Sequence, residues 1–182
     1  MRTTEVIAKT NWNIDSMHSE IGFKVKHLMF TNVRGTFREF TANLHIDEND
    51  FSDAEIELRI NPASIYTGDE KRDAHLKSAD FFDVDNFKEI IFTGNNFEKG
   101  KDGNYKLHGD LTMKGIKKQI QLDVESGGLM KDPWGNQKAA FSITGKINRK
   151  DWGLNWNAAL ETGGVLLSED VWINCEVQLV QA

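Results

Sequence analysis

The chain has little of what would make it a disulfide scaffold, a membrane span or a nucleic-acid binder. Among 182 residues there is one cysteine, Cys175, so no internal disulfide can form, and a lone thiol fits an oxidising or a reducing compartment. Only two prolines interrupt it, and fifteen glycines suit strands joined by turns and bulges. No run approaches the roughly 18 apolar residues of a membrane span. The formal net charge of −6 argues against non-specific nucleic-acid binding, because a phosphate backbone wants a basic face. The opening MRTTEVIAKTNWNID has no apolar core and no small-residue cleavage site. The expectation is therefore a cytoplasmic protein as written, or a periplasmic one if a signal segment has been removed.

Motifs of covalent chemistry are also missing. There is no G-x-S-x-G, and Gly127-Gly128 and Gly163-Gly164 are isolated pairs without the strand–helix context of a phosphate-cradling loop. His18, His27, His75 and Asp73 show no short H-x-H or H-x-x-x-H spacing, so no metal site is assigned. Cys175 sits in an apolar alternation and reads as a small core residue. No catalytic residue and no cofactor is assigned.

What is present is alternation. Hydrophobic residues make up 39% and charged residues 27%, ordinary for one globular core, and the apolar positions recur with period two. Ile21, Phe23, Val25 and His27 share a face, as do Val33, Gly35 and Phe37. The register slips near Arg38–Glu39, where a β-bulge would bend a long strand, and resumes at Phe40, Ala42, Leu44 and Ile46. Further runs lie at 54–60, 90–94, 105–113, 120–124, 141–147 and 171–179, with a hairpin turn expected at 100–104. About eight strands joined mostly in sequence predict an all-β, antiparallel barrel in one domain over 1–182, since closure removes exposed edges. Gly35, Gly94, Gly109 and Gly145 thin its inward face, either to bend strands or to leave room inside.

One stretch breaks the pattern. Ser64–Phe92, SIYTGDEKRDAHLKSADFFDVDNFKEIIF, opens like a strand, becomes charged, and then presents two phenylalanines. Its Thr-Gly-Asp start predicts a capped helix of two turns near 69–77, placed like a lid or corner.

These residues resemble the YceI-like family of lipid-binding, lipocalin-like barrels. The N-terminal W-x-I-D-x-x-H-S-x-I-x-F-x-V-x-H-L pattern is present from Trp12 to Leu28 and runs into Val33-Arg34-Gly35-Thr36-Phe37. The middle signature lies between Ser64 and Val84, followed by Leu111–Gly115, Asp132–Gly135 and the R-x-D-W-G of Arg149, Asp151, Trp152 and Gly153. The match covers about 12–180. Lys88 replaces the usual proline and Ile116 the usual threonine, both outside the charged part of the signature. The resemblance implies a bacterial, often periplasmic barrel that takes a polyisoprenoid or another long-chain, fatty-acid-derived lipid into its interior, and a homodimer as a common state.

Candidate ligand-binding residues follow from face and position. Phe23, Val25, Phe37, Phe40, Phe92 and Phe141 fall on inward faces, where lining and filling a small barrel are the same job. His27 points inward as well; it either fixes a ligand's polar head or is a buried histidine bonded within the protein. Arg72 and His75, three apart on the helix, either meet a head group at the barrel mouth or brace the helix. Phe81, Phe82 and the loop residue Trp152 complete the set, and Trp134 and Trp156 are further loop aromatics able to close a mouth. Trp172 alternates outward and hints at a dimer contact. The expected function is storage or transport of one long apolar molecule without chemistry. Two other readings stay open: an enzyme using His27 and His75 on a lipid-derived substrate, and a filled barrel acting through its surface.

Overall fold

Strands form where apolar residues alternate, because a two-residue period puts one face into a core and leaves the other wet. The structure is a computed structural model describing residues 10–47, 50–100, 102, 104–158, 160 and 166–182. In chain order it contains β1 (Thr10–Ile14), β2 (Glu20–His27), β3 (Thr31–Phe37), β4 (Phe40–Asp47), β5 (Asp50–Ile60) and β6 (Ile65–Tyr66). Then come α1 (Glu70–Lys77), β7 (Ile90–Lys99), β8 (Tyr105–Met113), β9 (Ile116–Lys131), β10 (Gln137–Asn148) and β11 (Asp170–Gln181).

The strands close into an antiparallel barrel of eight staves, in the order β1-β4-β5-β7-β8-β9-β10-β11 and back to β1. Closure rests on three pairs between the first and last strands: Trp12 with Gln181, Asn13 with Val180 and Ile14 with Leu179. Among the described residues, eleven strand segments make eight staves because two staves are broken and β6 lies outside the ring. β1 and β2 lie end to end along β11, which pairs with β1 at 179–181 and with β2 at 172–176. β3 and β4 make the neighbouring broken stave, one half beside β2 and the other beside β1.

The break between β3 and β4 falls at Arg38–Glu39, where the alternation slips. There the backbone leaves its ladder and is satisfied by the next segment. Arg38 N donates to Ser64 O (3.2 Å), Glu39 N to Ser64 Oγ (3.0 Å), and Asn61 N to Glu39 O (3.0 Å). On the far side of β3 the sheet gains only the two-residue β6, so one end of the barrel flares. The expected 100–104 turn is closed by Gly100 N donating to Asn104 O (2.6 Å), while Lys101, Gly103 and the Gly163-Gly164 pair lie outside the described residues. β9 runs on through Gly127-Gly128 to Lys131, past the end of its apolar alternation. Its register against β10 shifts between Ala140 and Phe141.

The inward glycines serve neither of the two expected uses alone. A Cβ on Gly109 would lie 2.5 Å from Phe92 Cζ and 2.5 Å from Thr93 O. A Cβ on Gly35 would collide with the Phe23 ring. Large rings from the neighbouring strand lie over bare backbone, so the wall is thin at the glycine and apolar beside it. Gly109→Ala is expected to destabilise the protein by about 2 kcal/mol, because one of the clashing atoms is a ladder carbonyl that cannot rotate away. Urea unfolding checks this, and an unchanged midpoint would contradict it.

Candidate functional site

The barrel interior is not filled. A cavity of about 520 Å³ runs inside it, within the ~300–1,000 Å³ of small-molecule sites. Inward positions of every stave contribute to its wall, among them Ile21 and Phe23, Ala42 and Leu44, Ile56 and Leu58, Phe92, Leu111, Leu122, Phe141 and Ile173. Toward the ring closed by β1 and β11 the lining includes Ile14, Val124 and Leu179, all apolar. At the flared end it changes character. There His27, Thr67, Asp69, Lys71, Arg72, His75 and Arg149 border it.

Two segments roof the flared end. The first is the 65–82 excursion, whose helix forms because Asp69 caps it, accepting from Lys71 N (2.9 Å) and Arg72 N (3.0 Å). The Arg72 backbone N–H holds the Asp69 carboxyl below its usual range. Arg72 turns back on the chain before the helix, Nε donating to Thr67 Oγ1 (2.7 Å) and Nη2 to Thr67 O (2.8 Å). Asp73 Oδ1 accepts from Thr67 N at 3.0 Å, so both charges brace the helix start. His75 Nε2 lies 2.8 Å from Asp80 Oδ2, and its ring stands edge-on to Phe81 (5.1 Å) and Trp156 (4.6 Å). Phe82 meets Phe37 edge-on at 5.8 Å, and Phe37 packs against Phe23 at 5.6 Å. The roof is thus joined to the wall by aromatic contacts.

The second roof segment is a 3₁₀ turn, Arg149–Trp152, with the residues after it. Trp152 is buried, and its Nε1 donates to Leu111 O at 2.8 Å. Arg149 is 3% exposed and supports the segment through carbonyls. Its Nε donates to Ser168 O (2.9 Å), and its Nη1 donates to Leu154 O (2.5 Å) and Trp156 O (2.8 Å). Burial pulls its pKa below the usual arginine value, opposed by the charge of Glu169.

Of the expected residues, Phe23, Val25, His27 and Phe37 border the cavity, as do Phe92 and Phe141. So do Arg72, His75, Phe81 and Phe82 from the excursion. Phe40 and Trp152 do not. Phe40 follows the bend at 38–39 and packs against the core beside the cavity, and Trp152 is turned away to the β8 carbonyl. Trp156 takes the place expected of Trp152, while Trp134 is 83% exposed on the β9–β10 turn. The outward Trp172 lies beneath the ammonium groups of Lys24 and Lys26, at 5.8 and 6.0 Å. Trp156 is the loop aromatic that closes the mouth, whereas Arg149 was absent from the expected site. Alternation gave the signal for Arg149, since Ile143, Gly145 and Ile147 step inward two by two and 149 is next.

A closed antiparallel barrel with an apolar interior and a polar roof defines a ligand-holding β-barrel. The chain belongs to the YceI-like family: the family model described as YceI-like domain matches residues 12–179. A UPF0312 protein of Staphylococcus aureus strain MSSA476 is 44% identical over 163 residues, 89% of this chain and 92% of the relative. The crystal structure of a Campylobacter jejuni YceI protein is 31% identical, with a TM-score of 0.73 over 100% of this chain and 99% of that one. Two more distant structures show the same fold. BcnA of Burkholderia cenocepacia has a TM-score of 0.79 at 18% identity, covering 91% of this chain and 98% of that one. A polyisoprenoid binding domain from Saccharophagus degradans has a TM-score of 0.66 at 14% identity, covering 94% and 98%. Among the described residues no helix is long and apolar enough to cross a membrane.

Cys175 is part of the cavity wall and is buried, which pushes its thiol from 9.0 up to about 11. A thiol that ionises later in the folded than in the unfolded chain gives stability present below pH 9 and lost as pH rises toward 11. Between pH 8 and 10.5 the protein is expected to lose about 2 kcal/mol more stability than Cys175→Ala. Parallel denaturant titrations check this, and equal slopes for the two proteins would contradict it.

Proposed function

We propose that the barrel holds one long-chain apolar molecule, a polyisoprenoid or similar lipid, and stores or carries it without transforming it. The observation that carries this reading is the cavity: about 520 Å³ of space walled by aliphatic and aromatic side chains, with polar groups at one end only. An interior of this kind gains free energy by removing apolar surface from water and offers an extended chain no other interaction along most of its length. Phe23, Val25, Phe37, Phe92 and Phe141 contact the chain, Phe81 and Phe82 cover it, and His27, Arg72 and His75 stand at the polar end. The polyisoprenoid binding domain of S. degradans, which shares the fold, is named for a ligand of this shape.

His75 stiffens this wall: its Nε2 is engaged by Asp80, and its ring packs edge-on against Phe81 and Trp156, which also meet each other at 5.5 Å.

Affinity is expected to rise with chain length by about fourfold per methylene until the cavity is full, the equivalent of ~0.8 kcal/mol per buried CH₂. Calorimetric titration with straight-chain alcohols of increasing length measures it. In Ala42→Phe, which adds a ring to the cavity wall, the plateau should come at a shorter chain. Affinity independent of length in both proteins would refute the reading.

A further inference from the structure

Arg149 is buried, charged and incompletely bonded. Its three protein partners, Leu154 O, Trp156 O and Ser168 O, are neutral carbonyls that occupy Nε and Nη1. Nη2 is buried and, among the described residues, has no hydrogen-bond partner. The acidic group whose charge acts on Arg149, Glu169, is half-exposed and hydrogen-bonded by Lys150 Nζ (2.8 Å) and Asn148 Nδ2 (3.5 Å). A buried cation with no carboxylate partner among the described residues, and a buried donor left unmade, are both costly, and folded proteins rarely keep either without a use. Arg149 also borders the cavity, at the end where Leu154, Trp156, Leu167 and His27 form the wall.

The fixing of this side chain matters as much as its free donor. The Arg149–Trp152 turn and the three carbonyl bonds hold the guanidinium plane, so Nη2 needs no rearrangement to receive an acceptor. The neighbouring cation of the roof is differently placed: Arg72 spends Nε and Nη2 on Thr67.

We propose that Arg149 is the head-group receptor of the cavity, and that the ligand's polar end carries a hydrogen-bond-accepting oxygen, a carboxylate before an alcohol, bound at Nη2. This rests on the reading of the cavity as an apolar-chain site and adds the chemical class of the ligand's end. The acceptor completes the guanidinium's bonding, and a carboxylate also neutralises its charge. In a cavity without such a partner the order would be reversed, since an ionised carboxylate loses hydration on burial and a hydrocarbon does not.

The test uses three C18 probes on the intact protein at pH 8: oleic acid, oleyl alcohol and 1-octadecene. The expected order is oleate tightest, then the alcohol, then the alkene, with oleate about tenfold or more ahead of the alkene. Nitrogen-15 NMR of the unsubstituted protein should show the Arg149 guanidinium signals shifting with oleate and staying still with 1-octadecene. Arg149→Met should lose the preference for oleate over 1-octadecene, and Arg149→Lys should recover only part of it. Equal affinity for all three probes overturns the Arg149 assignment and leaves the cavity reading standing. Oleate binding that does not move the Arg149 signals also overturns it, placing the head group elsewhere on the roof, and this readout needs no variant to fold. Failure of all three probes to bind overturns both.

Discussion

Everything in this molecule depends on a three-residue seam. Pairing of Trp12, Asn13 and Ile14 with Gln181, Val180 and Leu179 turns an open antiparallel sheet into a ring. An open sheet of these strands would have to bury its apolar face against a second layer, and would have no interior. Once closed, the same alternation points every apolar row at a common axis, and an eight-stave circumference is wide enough to leave space there. The cavity follows from closure; no loop or domain interface is needed to build it.

The seam closes only one end. At the other, the bent β3–β4 stave moves away from β5, and the gap is taken by Asn61–Ser64, β6 and α1. This arrangement concentrates polar chemistry where the sheet ladder stops. Chain that has left the ladder carries backbone groups without ladder partners, and those groups are met by the side chains of Asn61, Ser64, Asp73 and Arg149. The roof is therefore polar for a structural reason first. A few groups are not fully consumed by that work, and among the described residues the Arg149 Nη2, which we propose receives a ligand's polar end, is the clearest.

Much of this was legible in the sequence, for a physical reason. A period of two is a strong signal when one face is wholly apolar, so the staves, the slip at Arg38–Glu39 and the Asp69-capped helix could all be read directly. The Ser64–Phe92 stretch stood out because it lacked that period. Legibility failed where local pattern and three-dimensional placement separate. Phe40 alternates correctly but follows a bend, which turns it out of the cavity wall. Trp152 and Trp156 belong to one loop, and only the fold shows that the first bonds the Leu111 carbonyl while the second faces the cavity. The glycines could be counted but not interpreted, since their role depends on rings across the strand, Phe92 over Gly109 and Phe23 over Gly35. Arg149 was hidden by its charge: an arginine at an inward position reads as a strand end unless the alternation before it is carried one step further.

An interior that is a site for an apolar chain, and not merely loose packing, should be found occupied or ready to take one up. Native mass spectrometry of the freshly purified protein, followed by solvent extraction, tests it most directly. The expected result is a non-covalent adduct that extraction recovers as a long-chain apolar molecule. A bare polypeptide mass, together with no uptake of added polyisoprenoid or fatty alcohol, would contradict it.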